Sequence, residues 1–259
     1  MRLRGVLFDL DDTLIPEEGA VREGFEAACT LAQLRCGVDP AHLQEAVRSR
    51  ARSLWRGAPT FPYCRSIGIA GFEGLWGSFE GDDPQLVALA GWVDDYRNVA
   101  WTGGLSELGI EAPELASELS DAFCTAVRSA FRPFVGAEEL LRELRKHLRI
   151  GLLTNGASSV QRHKIRQSGL DGLFHAVVVS GEVGVGKPDP EVFRVALEAL
   201  GTPAAETVMV GNSLRHDIAG ARAAGMPCVW LDHTGRGHGE ELEPDVRIED
   251  ITELRDVMG

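Results

Sequence analysis

Five short, unbroken apolar runs constrain this chain more than any other feature: "VLF" at 6–8, "IGLL" at 150–153, "AVVV" at 176–179, "TVMV" at 207–210 and "CVWL" at 228–231. A strand with one wet face alternates apolar and polar residues, whereas a run without alternation belongs to a strand covered on both faces. Helix-like stretches separate the last four runs. Apolar strands alternating with helices build a parallel sheet with helices on both sides, a doubly wound α/β layer. "PDVRI" (244–248) adds a peripheral sixth strand, followed by a short final helix.

The helices carry their own punctuation. "GAEELLRELRKHL" puts Leu140, Leu141, Leu144 and Leu148 on one face, with basic residues in its last turns. "DPEVFRVALEALG" opens with Asp189 as N-cap and Pro190 in its first turn, and Gly201 closes it. "DIAGARAAGMP" reads as a short helix of small residues ended by Gly225 and Pro227.

Between the first and second runs the pattern changes. Residues 16–134 hold no parallel-strand run, and helices open at Asp39-Pro40 (Leu43, Val47 and Leu54 on a face), at Asp83-Pro84 and at Pro113 (Leu115, Leu119, Phe123, Val127). A connection of this length is not a mere loop. The division expected is an α/β core formed by 1–15 and 135–259, with an inserted all-helical domain over 16–134.

Composition narrows the function classes. The formal net charge is 26 − 39 = −13, and no basic run exceeds "RKHLR", which argues against a nucleic-acid partner. The five cysteines are scattered and lack metal-ligand spacing, as expected of reduced thiols in a cytoplasmic protein. Only a strand-sized apolar run follows the basic "MRLRG", so neither a signal peptide nor a membrane span is expected.

In an open parallel sheet, function collects beyond the carboxyl ends of the strands. Asp9, Asp11 and Thr13 follow the first strand, Thr154, Asn155 and Gly156 the second, and Asn212, Ser213 and Asp217 the fourth; Lys187 lies between the third and fourth. Carboxylates this close repel one another and resist removal from water, so a compensating divalent cation is expected. Asp9 is placed to act as a nucleophile through an acyl-phosphate intermediate. Asp11, two residues on, is placed as general acid to the leaving oxygen and then as base to water. Mg²⁺ would take oxygen ligands from Asp9, a backbone carbonyl and a later carboxylate. Thr154 and Asn155 offer a hydroxyl and an amide to phosphoryl oxygens, and Lys187 a compact positive charge.

Four motifs in order resemble those of the haloacid dehalogenase superfamily: "DLDDT", "IGLLTNG", "GKPDP" and "VMVGNSLRHDIAGARAAGM". The resemblance covers essentially the whole core. It implies a Rossmann-like core, a helical cap inserted after the first motif, and Mg²⁺-dependent phosphoryl transfer to water from a small phosphorylated metabolite. Carried over by position, Asp9 is nucleophile and Asp11 acid/base; Thr154 and Lys187, with Asn155 and Gly156, bind phosphate. Asp9, Asp11, Asn212 and Asp217 make up the metal site. The fourth motif departs from the usual Gly-Asp-Ser, because Asn212 puts a neutral amide where a metal-facing carboxylate is expected. Two rivals remain on the same fold: hydrolytic dehalogenation of a 2-haloacid, which does not need Asp11, and a catalytically idle binding protein, which Asn212 alone favours.

Outside the motifs, the aromatic, Gly-rich stretch 60–81 has two readings. Arg56, Tyr63, Arg65 and Trp76 serve as a substrate-selecting surface, or the aromatics pack between cap helices, the reading favoured for Trp76 and Phe79. His163, in "SSVQRHKIRQ", is expected on a helix surface.

Overall fold

The computed structural model describes residues 3–233 and 243–258. Met1 and Arg2 of the basic N-terminal run lie outside the described residues. The chain divides into two compact units. The first comprises Met1–Pro16, Arg132–Gly156 and Ser168–Gly259, and the second comprises Glu17–Phe131 and Ala157–Gln167.

The first unit is built on six parallel strands: β1 (Gly5–Phe8), β2 (Arg149–Thr154), β3 (Ala176–Val179), β4 (Thr207–Gly211), β5 (Cys228–Leu231) and β6 (Val246–Ile248). Their order is β3-β2-β1-β4-β5-β6. All six lie where the apolar runs place them. β1 is fully buried, paired on one side to β2 and on the other to β4, with Phe8 opposite both Leu152 and Val210. The three central strands therefore end in register, and whatever follows each of them emerges at one edge. On one side of the sheet, Leu7, Leu153 and Met209 pack with Val192, Phe193 and Ala196 of the helix Pro190–Leu200. That helix has the expected ends: the Asp189 carboxylate accepts from Glu191 N (2.9 Å), and Gly201 closes it at φ 73°.

Two helices of this unit differ from expectation. The one beginning at Ala137 stops at Leu144, so Leu148 falls beyond it in the turn that leads into β2. The segment after β4 begins as a π-helical turn, Leu214–Ile218, before the α-helix Ala219–Ala223. Such wide turns often mark functional positions, and this one carries Asp217.

The second unit is all helical. Its helices are Glu17–Cys36, Pro40–Trp55, Phe61–Ile67, Gly71–Gly74, Pro84–Glu107, Pro113–Ala130 and Ser158–Gln167. The last of these arises from a segment between β2 and β3. Helices Glu17–Cys36 and Pro113–Ala130 approach closely at Gly24, where a Cβ would lie 2.4 Å from Val127. Phe25 meets Phe123 edge-on at 4.7 Å. In the stretch 60–81, Trp76 and Phe79 are buried, and Trp76 packs on Phe131 at 5.2 Å. Arg128 donates twice to the Trp76 carbonyl (2.9 and 2.7 Å), and Arg97 holds the carbonyls of Gly74 (2.9 Å) and Gly77. These two arginines satisfy carbonyls that a short, irregular, Gly-rich run cannot pair internally. Arg65 is exposed and Tyr63 half-buried. Arg56 helps line a cleft of about 310 Å³ with Phe25, Arg48, Arg52, Trp55 and Phe72.

His163 is not a surface residue. It is half-buried beside Trp76 and Phe131, with Nε2 2.9 Å from the Arg128 carbonyl. Lys164 is fully buried, its ammonium paired with Glu17 and with Glu73 (3.0 Å). The polar sequence of this helix hides the fact that one of its faces packs inside the helical unit.

Candidate active site

At the carboxyl edge of the sheet the chain turns sharply after β1. The N–H groups of Thr13, Leu14 and Ile15 all donate back to Leu10 O, and Asp12 adopts a left-handed φ of 53°. Aspartate is among the few residues that tolerate that region. The turn sets Asp9 directly on the strand end and Asp11 two residues further out.

Asp9 is only 6% exposed, Lys187 5% and Asp217 1%. The Lys187 ammonium lies 2.5 Å from Asp9 Oδ1, 2.7 Å from Asp217 Oδ1 and 2.9 Å from Leu153 O. The ammonium donates to Asp9 and to the Leu153 carbonyl and pairs with Asp217 by charge, so residues 178 and 30 positions from the lysine are gathered onto one cation. Burial pushes the Asp9 pKa up to about 7, with Lys187 pulling against it and Asp217 and Asp11 adding to it. Burial alone would lower Lys187, but Asp217 and Asp9 outweigh it and leave its pKa raised.

Around this triad the supports are mostly backbone contacts. Asn155 clasps the lysine's own peptide, its Nδ2 donating to Lys187 O (3.0 Å) and its Oδ1 accepting from Lys187 N (2.8 Å). Both ends of the amide expected to serve phosphoryl oxygens thus hold the lysine loop. Gly156 N donates to Ser180 Oγ (2.9 Å), and Thr154 is fully buried at the end of β2. Thr13 Oγ1 lies 3.3 Å from Asp9 Oδ2 and accepts from Asn212 N (3.1 Å), tying the first motif to the fourth. Trp230 Nε1 donates to Asn212 O (2.9 Å), so both backbone groups of Asn212 are fixed. Asp217 Oδ2 accepts from Ser213 N (2.9 Å). Its carboxylate lies so close to Gly211 that a Cβ there would be 2.4 Å from it, which explains the glycine at that position.

Sequence reasoning placed Asp9, Asp11, Thr154, Lys187, Asn212 and Asp217 at this edge. It missed the bracing by Thr13, Ser180 and Trp230. Thr13 was flagged by its place in the first motif, whereas Ser180 and Trp230 carry no local signal. Asp217, expected among the metal ligands, pairs through Oδ1 with the Lys187 ammonium and accepts at Oδ2 from Ser213 N.

The site carries three carboxylates, Asp9, Asp11 and Asp217, against one ammonium, and a divalent cation would offset that excess. Among the described residues no three His, Cys, Asp or Glu side chains converge tightly enough to enclose a metal ion. Mg²⁺ does not require such a cage. It binds through one or two carboxylates, keeps several waters and shares substrate phosphate oxygens. Asp9, Asp11 and the Asn212 amide form an oxygen-only donor set of that kind, so the residues fit the ion.

The comparisons with known proteins agree in kind. The model of a haloacid dehalogenase-like hydrolase matches residues 3–225. The phosphoserine phosphatase of Thermus thermophilus is 39% identical over 96% of this chain and 96% of its own. The fold is shared with the magnesium-bound HAD-hydrolase YfnB of Bacillus subtilis (TM-score 0.67, 23% identity, 100% of both chains). It is shared as well with a 2-haloacid dehalogenase from Pseudomonas syringae (TM-score 0.60, 26% identity, 99% of this chain and 98% of the other).

Proposed function

This chain belongs to the haloacid dehalogenase-like hydrolases, and from that premise we propose that it is a Mg²⁺-dependent phosphatase acting on a small phosphorylated metabolite. The observation that carries this reading is the buried Asp9–Lys187–Asp217 triad, with Asp11 two residues beyond the nucleophile.

Asp9 attacks phosphorus in line with the ester oxygen. The phosphorus–oxygen ester bond breaks as the Asp9–phosphorus bond forms, and Asp11 gives its proton to the departing alkoxide. Asp11, now a carboxylate, takes a proton from water. That water attacks phosphorus and frees Asp9. Lys187 is fixed at three points, so it contributes a charge that needs no reorganisation as negative charge moves through the site. Asp9, Asp11 and Asn212 would hold Mg²⁺, and the bound ion would reduce repulsion between the carboxylate and the phosphate dianion. Asp217 is a positioning residue for Lys187. The inserted helices of 16–134 serve as a cap that sets substrate choice.

Similarity to a phosphoserine phosphatase makes phosphoserine the first substrate to test. The reading is tested by phosphate release from a panel of phosphorylated metabolites, with and without Mg²⁺, in the parent and in Asp9→Asn. Metal-dependent release lost in Asp9→Asn supports it. Metal-independent chloride release from 2-chloropropionate, without phosphatase activity, would put the dehalogenase reading in its place; likeness to the Pseudomonas syringae enzyme keeps that reading alive.

A further inference from the structure

The opposite edge of the same sheet carries a second concentration of charge that the reaction does not use. Leu3, Arg4, Arg145, His147, Leu148, Arg149 and His175 line a cleft of about 500 Å³. A neighbouring cleft of about 380 Å³ is lined by Arg142, Arg145, Lys146, Leu173 and His175. The two share Arg145 and His175. Arg4 precedes β1, Arg149 opens β2 and His175 precedes β3, so three adjacent strands bring their amino ends together here.

The basic residues do more than neutralise neighbouring acids. Among the described residues no acidic side chain lines either cleft. Arg4 pairs with Glu206 at 3.4 Å and Arg142 with Glu138 at 2.7 Å, outside the linings. Arg145 and Lys146 have no carboxylate within ion-pair distance among the described residues. In a chain with 39 acidic against 26 basic residues, partners are abundant and this gathering without them is unexpected. The bland alternative is that the cations complement the carboxyl end of the helix Ala137–Leu144. One helix end does not account for the guanidinium groups of Arg4, just before β1, and Arg149, at the start of β2. The local field is visible at His175: burial and then the neighbouring Arg149 and Arg145 guanidinium groups hold its pKa below the ordinary value.

We propose that these joined clefts form a binding site for a small polyphosphorylated metabolite, distinct from the catalytic edge of the sheet. The size fits, since small-molecule sites occupy about 300–1,000 Å³. The number of cations fits two or more phosphate groups, which arginine recognises by paired donors. The net charge of −13 favours a compact ligand over a long one. A small ion sits within the roughly 8 Å over which the patch is felt at physiological salt, whereas a long polyanion would extend over repelling surface.

The probe is inorganic tripolyphosphate in metal-free buffer, titrated calorimetrically into Asp9→Asn, which removes turnover. The expected result is one ion per chain, His175 and His147 ring resonances that move on binding, and a His175 pKa that rises. Arg145→Ala/Lys146→Ala should weaken binding by about tenfold or more, since each lost charged hydrogen bond lowers affinity by about that factor. The same pair of substitutions in the parent should leave the melting temperature and basal turnover unchanged. Three outcomes overturn the proposal: unaltered affinity in the double variant, displacement of tripolyphosphate by orthovanadate bound at the catalytic edge, or tighter binding of a short single-stranded RNA than of tripolyphosphate.

Discussion

The two edges of the sheet hold charge in opposite ways. At the carboxyl edge, Asp9, Lys187 and Asp217 are nearly dry and each charge has a partner within 2.7 Å. At the amino edge, Arg145, Lys146, His147 and Arg149 are exposed. A buried charge loses its hydration and has to recover that cost from fixed partners, so removing one member leaves the others stranded. An exposed charge keeps its water and responds to whatever approaches. The first arrangement suits a reaction that must find its electrostatics already in place; the second suits reversible recognition.

The contrast predicts its largest effects where burial is greatest. Lys187→Met leaves Asp9 and Asp217 buried without their cation and should cost about 3–5 kcal/mol of stability as well as activity. Asp9→Asn removes a charge whose burial is itself costly. It should lower turnover by at least about a thousandfold, in the range seen when nucleophiles are removed, while leaving the melting temperature unchanged or raised. Thermal melts and phosphate-release rates on both variants decide the matter. Equal destabilisation would break the link drawn between burial and pairing.

Asp11 should come next. Its substitution by Asn should slow alkyl phosphates by about a hundredfold to ten-thousandfold, the range of general acid–base catalysis. An activated aryl phosphate, whose leaving group needs no proton, should be affected far less. Equal losses on both would show that Asp11 transfers no proton to the leaving group. Gly211→Ala tests the bracing behind the lysine. A methyl group 2.4 Å from the Asp217 carboxylate has to displace it, at a cost of about 1–3 kcal/mol for overpacking. Because Asp217 positions Lys187, kcat should fall with little change in KM.

How much of this was legible in the sequence follows from the same physics. The strands were readable because burial on both faces leaves an unbroken apolar run. The helix Glu17–Cys36 was not singled out, since it buries mainly small residues, Ala20, Gly24, Ala28, Cys29 and Ala32, around Val21 and Phe25. Its burial comes from close helix approach rather than from a stripe of large side chains. Asp9, Lys187 and Asp217 were identifiable as polar groups following apolar strands. Their mutual distances were not, because the sequence holds no measure of where three loops meet. The clasp between Asn155 and Lys187 depends on both backbone directions and has no one-dimensional trace. Lys164, fully buried, reads in sequence as another surface lysine, because burial of a cation depends on Glu17 and Glu73 far along the chain.

Asn212 lies between the extremes, half-buried with its backbone fixed and its side chain carrying no charge. Asn212→Asp adds a carboxylate beside Asp9 and Asp11. In metal-free buffer it should lower the melting temperature, and it should tighten Mg²⁺ binding by about tenfold, equivalent to roughly 1.4 kcal/mol of added attraction. Calorimetric titration of Mg²⁺ and the melts with and without metal report this independently of turnover. Unchanged Mg²⁺ affinity would remove Asn212 from the donor set.

The smallest effect on stability is expected at the amino edge, where the measurement is correspondingly more local. Arg145→Ala removes an exposed charge with no carboxylate partner among the described residues, so the melting temperature should stay within the scatter typical of surface substitutions, about 0.5 kcal/mol. Its trace should appear at His175. The Nδ1 of that ring accepts a hydrogen bond from Ile150 N (2.9 Å), and Arg149 and Arg145 add positive potential to the effect of burial. Protonating the ring is harder in the folded chain than in the unfolded one, so its contribution to stability is present above the ordinary histidine pKa and is lost as pH falls below it. Deleting Arg145 removes one of the two repelling cations, and the His175 pKa, followed by NMR, should rise toward its ordinary value. Burial, with Arg149, should keep it from reaching that value, and Arg142→Ala, which removes a cation already paired with Glu138, should move it less. An unmoved His175 pKa in Arg145→Ala would show that the amino-edge cations do not act on a common space, and the contrast between the two edges would then reduce to burial alone.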